Sequence, residues 1–365
     1  MIIMKFNLDS PLGKAIRTLL LQVISIIFGL LVGAIAIKLS GRSVVDAYTA
    51  LYNGAFVGRT SLELTILNAI PLVFTGLSIA LGFRAGLFNI GAEGQLILGG
   101  IAATWVGTTL NVGPVFTTAL ALMAAAAAGL IWAFPAAWLR AKKGAHEVIT
   151  TLMLSYIALH LMNFVRKNWL YDPQSTTESS ITVNENAKLV LINKVLPFFE
   201  LGNTRVHTGV LIAIGVVVVM WFFLYKTIWG FEVRIVGDNT SAASASGVSV
   251  SRTIILSLCL GGVLAGLGGG VQLLGLYHRI SVDSFVGLGF TGFFIALLAQ
   301  NQPLGMIPAA IFFGALRAGA LNMQFQANVP MSLTEFLQGI LILFIAVPVL
   351  GKSLKMFKAI PDESE

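Results

Sequence analysis

The sequence predicts an all-α polytopic membrane protein with about ten transmembrane helices, and three observations carry that prediction. Only 11% of its 365 residues are charged and 56% are hydrophobic, whereas an average soluble domain is roughly 25% charged. The mean hydropathy of +0.87 fits the same picture, since 23 Lys and Arg with 16 Asp and Glu cannot clothe a water-facing surface of this size. Apolar runs of about 20 residues, the length that crosses a ~30 Å hydrocarbon core, recur along the chain. Short connections between them leave no room for a soluble catalytic module, so one domain over residues 1–365 is expected.

In order, the runs cover residues 18–37, 64–83, 87–108, 115–139, 148–165, 208–225, 253–276, 286–300, 306–323 and 333–350. The first follows basic residues and ends near Ala34-Ile35-Ala36, as a secretory leader would. Its apolar stretch of about 20 residues exceeds the 7–15 of a leader core, so a retained first span is expected. The eighth is short and carries Gly287, Gly289 and Gly292; it reads as a full span or as a broken, re-entrant segment.

Basic residues set the orientation. With the N-terminus inside, the inner connections hold Lys5, Lys14, Arg17, Arg84, Arg140, Lys142, Lys143, Lys226, Arg234, Arg252, Lys352, Lys355 and Lys358. The outer connections hold fewer: Lys38, Arg42, Arg59, Arg166, Lys167, Lys188, Lys194, Arg205 and Arg279, with Arg317 inside a helix. Both termini, 1–17 and 351–365, are therefore expected in the cytoplasm. The net charge of +7 is scattered over these connections, which suits membrane orientation better than nucleic-acid binding.

Two connections are long. Residues 166–206 are polar and turn-rich and read as an external loop, either solvated or docking an external partner. Residues 230–252 read as a cytoplasmic loop whose middle, 239–246, suits a short helix with Asn239 or Thr240 near its N-cap and Gly247 at its end. Small residues there leave a surface that another protein can approach closely.

Several motifs carry nothing. Gly351-Lys352-Ser353 lacks the earlier glycine of a phosphate loop, having Ala346 there, and Gly287-x-Gly289-x-x-Gly292 lacks a βαβ context. Cys259 is the single cysteine, so no intrachain disulfide can form. His146, His160, His207 and His278 show no metal-ligand spacing, and no nucleophile has a recognisable context. No enzymatic activity, metal or cofactor is expected. Small-xxx-small pairs such as Gly29 with Gly33, Gly262 with Gly266 and Gly266 with Gly270 predict close helix packing.

The informative stretch is Gly86-Leu87-Phe88-Asn89-Ile90-Gly91-Ala92-Glu93-Gly94-Gln95. Read as one helix, it puts Asn89 and Glu93 on a shared face with Gln95 near. A carboxylate inside a span is costly, so Glu93 is either a functional group or a brace for a neighbouring turn or for Arg84. Asn68 before Pro71, Gln272 behind Gly266, Gly268, Gly269 and Gly270, and Arg317, able to snorkel or pair with Glu335, are further polar groups at membrane depth.

Three blocks together resemble a known family: Gly82 to Gln95; Arg234-Ile235-Val236-Gly237-Asp238-Asn239 with Ala242-Ala243 and Gly247-Val248; and Gly289-Phe290-Thr291-Gly292 followed by Asn301-x-Pro303-Leu304-Gly305. Over residues 64–350 the chain resembles the permease subunits of bacterial ABC importers for branched-chain amino acids and simple sugars, most of all the nucleoside type served by a basic membrane lipoprotein. The resemblance implies a multi-pass protein of the cytoplasmic (inner) membrane forming half of a translocation pathway. It also implies a second permease, a cytoplasmic ABC ATPase and an external substrate-binding lipoprotein. Arg234, Gly237, Asp238, Asn239, Ala242, Ala243 and Gly247 match the loop that docks into the ATPase, although Asp238 stands where the family has a small or polar residue. A nucleoside path should offer amides and aromatic faces, which makes Asn68, Phe74, Phe88, Asn89, Glu93, Gln95, Gln272 and Phe290 the candidates. Import of a simple sugar or a branched-chain amino acid is the alternative. A stand-alone secondary transporter would show paired intramembrane charges and inverted repeats; beyond Glu93 and Arg317, only a loose Gly-rich likeness of 86–100 to 286–300 points that way.

Overall fold

The computed structural model describes residues 11–175, 178–195, 204–282, 284–341 and 343–344. The expected cytoplasmic tail, the first ten residues and the end of the run 333–350 lie outside the described residues. The helices in chain order are α1 (Pro11–Leu39), α2 (Val44–Phe56), α3 (Arg59–Arg84), α4 (Ala92–Thr109), α5 (Pro114–Lys143), α6 (Glu147–Asn168), the single turn α7 (Ile192–Val195), α8 (Gly209–Lys226), α9 (Ile228–Asp238), α10 (Thr240–Ala245), α11 (Val250–Gln272), α12 (Leu288–Leu298) and α13 (Met306–Gln326). A last helix, α14, covers residues 331–341. Among the described residues, β pairing is confined to two bridges, Tyr171 with Ser180 and Leu191 with His207.

Among the described residues, six stretches are long and apolar enough to cross a membrane: Arg59–Arg84, Pro114–Lys143, Glu147–Asn168, Gly209–Lys226, Val250–Tyr277 and Pro303–Gln326. The run 87–108 differs from expectation. Its helix begins only at Ala92, because Gly86 (φ +71) ends α3 in a left-handed turn, with Leu87 N–H donating to Gly82 O and Gly86 N–H to Phe83 O. The run 286–300 yields α12, 11 residues long. At 1.5 Å per residue that is about 16 Å, half of what a bilayer needs.

The chain divides into two compact units, Met1–Ser61 with Leu316–Glu365, and Leu62–Ala315. In the first, Ser43 caps α2 by accepting from Asp46 N–H at 3.3 Å, and Tyr48 donates its hydroxyl to Leu30 O. Ile37, Ala47, Ala50, Met323, Val329 and Leu337 form its core. Gly29 and Gly33 do what their spacing predicts: a Cβ on Gly29 would come to 3.1 Å from Leu341 Cα, and one on Gly33 would strike the Leu337 side chain.

In the second unit α11 lies against α4 and α5 at backbone range. Cβ atoms on Gly262 and Gly266 would overlap the carbonyls of Gly129 and Ala125, and one on Gly269 that of Leu96. Small residues let these three helices approach closely, and dispersion contacts that any larger side chain would forfeit hold them there. Arg84, Arg140 and Arg234 share one end of this unit, linked through Tyr225, Glu147 and the Gly86–Gly237 contact.

At the opposite end, the segment expected as a loop is fixed in place. Ser180 N–H donates to Ile280 O (2.9 Å) while Ile280 N–H donates to Ser180 Oγ (2.8 Å). Val183, Asn184 and Leu189 donate their N–H groups to His278, Gly107 and Leu274 carbonyls. Val183, Ala187 and Leu189 are buried, so apolar area as well as hydrogen bonds holds this segment over the end of α4 and residues 274–280, just past α11. Glu178 bonds Lys167 (3.1 Å) and Arg166 (3.4 Å). Those two cations, Lys167 first, hold its carboxyl below the usual range.

Residues 230–252 are not a loop but the body of α9, the short helix α10 and the start of α11. The middle matches the expectation from local chemistry: Asn239 Oδ1 accepts from Ala242 N–H at 3.0 Å, and Gly247 takes φ +83 after the last turn.

Candidate functional site

The turn that closes α3 brings two glycine-bearing blocks of sequence, 82–95 and 234–239, into one structure. Asn89 and Glu93 do not share a helical face, since Leu87 to Gly91 lie outside the helix. Instead Asn89 and Gln95 exchange amide hydrogen bonds, Nδ2 to Oε1 and Nε2 to Oδ1, both 3.1 Å. Asn89 Nδ2 also donates to Ser78 Oγ at 3.1 Å. All three side chains are buried, and their polar atoms satisfy one another as a buried network must.

Glu93 is 7% exposed, and its carboxylate meets the N-terminus of the half-length helix α12. Gly287 N–H donates to Oε1 (3.2 Å) and Phe290 N–H to Oε2 (3.3 Å). These amides precede the first intrahelical bonds and have no partner along their own helix. A carboxylate placed there supplies acceptors and opposes the positive end of the helix dipole. Gly289 makes the approach possible, because a Cβ on it would overlap the Glu93 backbone.

The far end of α12 is tied to the end of α3. Arg84 Nε donates to Asn301 O (3.0 Å) and its guanidinium to Tyr225 Oη (3.2 Å). Tyr225 Oη in turn donates to Gln302 Oε1. Arg234, expected to serve ATPase coupling, stacks over the Tyr225 ring at 5.3 Å, a cation–π contact that fixes α9 against α8. Phe83 meets Phe88 and Phe293 edge-to-face at 5.1 and 5.4 Å.

α9 reaches the Gly86 turn directly. A Cβ on Gly237 would overlap Arg84 O and lie 3.0 Å from Gly86 N, so the end of α9 sits on the turn at backbone contact. The turn is held from the other side by Glu147, which accepts Phe88 N–H (3.3 Å) and pairs with Arg140 Nε (3.2 Å). Gly86, Leu87, Arg140, Gly237, Asp238 and Asn239 border a cleft of about 340 Å³. Just beyond it, Ala242 is exposed and Ala243 is fully buried, so α10 turns one alanine outward and seats the other.

The remaining candidates are dispersed. Phe88 and Phe290 are 46% and 43% exposed. Phe74 is fully buried against Gly268, and Gln272, one turn further along α11, is buried with no partner for Oε1 among the described residues. Asn68 is half-buried and donates to Leu64 O of its own helix at 2.8 Å. Sequence reasoning missed Glu147, Ser78 and Tyr225. Glu147 had one available signal, a carboxylate in the first turn of an apolar helix after a basic run. Among the described residues no cluster of His, Cys, Asp or Glu could hold a metal.

Comparison with known proteins bears on this arrangement. The model of the family described as branched-chain amino acid transport system permease component matches residues 61–346. The guanosine ABC transporter permease protein of Bacillus subtilis (strain 168) is 41% identical over 91% of this chain and 94% of its own length. The glucose ABC transporter permease protein of Haloferax volcanii is 35% identical over 88% and 86%. The nucleoside ABC transporter permease protein of Lactococcus lactis subsp. cremoris is 34% identical over 91% of each. No solved structure matches the chain at a significant level.

Proposed function

The chain belongs to the family of branched-chain amino acid transport system permease components, and from that premise we propose that it is the transmembrane subunit of an ATP-driven nucleoside importer in the bacterial inner membrane. It forms half of the pathway beside a second permease, spans the bilayer about ten times with both termini cytoplasmic, and hydrolyses no ATP itself. A cytoplasmic ABC ATPase drives it, and an external lipoprotein delivers the substrate. Two of the relatives bear nucleoside names, which favours nucleosides; the glucose permease keeps a sugar as the second reading.

One observation carries the mechanism: α10 presents Ala242 outward on a rigid arm whose last residue but one, Gly237, rests on the Gly86 turn. Ten residues or fewer then separate that turn from Asn89, Gln95 and the Glu93 cap on α12. An ATPase gripping α10 can move the pathway only if it binds the two states of the arm unequally. Direct backbone contact transmits such a bias without slack.

The test is reconstitution of this chain with its second permease, ATPase and lipoprotein in proteoliposomes. Guanosine should stimulate ATP hydrolysis and accumulate, while glucose, ribose and leucine should not. Stimulation by a sugar alone would select the second reading. ATP-independent uptake by this chain alone would overturn the proposal.

A further inference from the structure

Beside the coupling arm, α5, α9 and α11 enclose a second cleft of about 470 Å³ that the transport reading does not use. Lys142 and Arg252 stand on its rim with Ser249. Both cations are exposed, and neither forms an ion pair among the described residues. Ser251 Oγ donates to Ala141 O at 3.2 Å, which pins α11 to α5 one residue away from each cation. Below them the floor is apolar, formed by Ile255 and Leu256 on the membrane-crossing stretch Val250–Tyr277.

The wall contributed by α9 points to the same surroundings. Gly230, Val233 and Val236 are buried, whereas Ile228, Trp229 and Phe231 are 76%, 53% and 51% exposed. A short helix with one face in the protein and large apolar side chains outside, flanked by Lys142, Lys226 and Arg252, has the composition of an interfacial helix. Trp229, which lines the cleft, is the residue type favoured at headgroup depth.

We propose that this cleft binds one anionic phospholipid, its phosphate between Lys142 and Arg252 and an acyl chain along Ile255 and Leu256. Paired cations above an apolar groove complement a phosphate joined to a hydrocarbon tail. A free phosphate would leave the groove empty, and a soluble protein would have to desolvate a floor that belongs to a membrane span. The lipid would splint α5, α9 and α11 next to α10.

The experiment is native mass spectrometry of the complete purified complex with palmitoyl-oleoyl phosphatidylglycerol or the matching phosphatidylcholine. One phosphatidylglycerol should be retained in preference to phosphatidylcholine and should resist millimolar inorganic phosphate. The double variant Lys142→Gln, Arg252→Gln should weaken retention by about fivefold per charge, about 25-fold together, while Lys142→Arg, Arg252→Lys keeps it. Leu256→Trp, which fills the groove and leaves both charges, should also expel the lipid. Equal retention of the two lipids, displacement by inorganic phosphate, or an unchanged double variant would overturn the proposal. A double variant that keeps its lipid but loses the ATPase would overturn it too, assigning the surface to a protein partner.

Discussion

Replacing Glu93 by Gln tests the reading of Glu93 as the cap of α12. In the native chain two carboxylate oxygens accept from Gly287 and Phe290 N–H at 3.2 and 3.3 Å. Gln keeps one acceptor, turns an amide NH2 donor toward the second N–H, and removes the charge that faces the helix dipole. A hydrogen bond to a charged group contributes roughly 1.5–3 kcal/mol, and an anion at a partly buried helix end up to about 2 kcal/mol. Because the Gln oxygen recovers part of this, a net loss of about 2–3 kcal/mol is expected. That corresponds to a roughly 30- to 150-fold rise in local opening. Hydrogen exchange on the assembled complex should show it as faster exchange confined to residues 284–298, with uptake reduced in parallel. Wild-type exchange in that segment would refute the capping argument. If half-saturation for the substrate rose while exchange stayed native, Glu93 would be a substrate contact instead.

Three further outcomes follow from the geometry. Ala242→Glu should abolish substrate-stimulated ATP hydrolysis with little change in melting temperature, because Ala242 is exposed; Ala243→Glu should lower the melting temperature, because Ala243 is fully buried. Identical effects at the two positions would remove the distinction between docking face and seat. Asn89→Ala strands the Gln95 amide that it serves at 3.1 Å, so thermal denaturation should report a loss of roughly 1–3 kcal/mol; a native melting curve would contradict the network. His207 is fully buried, and burial, then the charge of His278, lowers its pKa from 6.5 to about 4. The folded form therefore binds the proton later than the unfolded form: its contribution is unchanged above about pH 6.5 and declines as the pH falls from there to about 4, by roughly 3 kcal/mol in all. Denaturation at pH 7.5 and 4.5 should show this decline, and His207→Gln should flatten it.

How much of this was legible in the sequence depends on how far apart the interacting groups lie along the chain. Asn239 and Gly247 bound α10 as expected because a cap is a bond between residues three apart, governed by side-chain type. The glycines at 262 and 266 announced close packing because only a missing Cβ lets backbones touch. The shared face of Asn89 and Glu93 failed because a single left-handed residue, Gly86, stops the helix, and periodicity does not register one backbone angle. The polar segment 178–191 looked solvated because its partners, the end of α4 and residues 274–280, are distant in the chain.

By itself the sequence determined the solvent this protein lives in, the positions of most helices, the two ends of α10 and the family, since all of these follow from composition or from groups within a few residues of one another. Only the tertiary structure decided what Glu93 does. Its acceptors meet amides 194 and 197 residues away, and the match of a carboxylate to an uncapped helix end exists only once the intervening helices have packed.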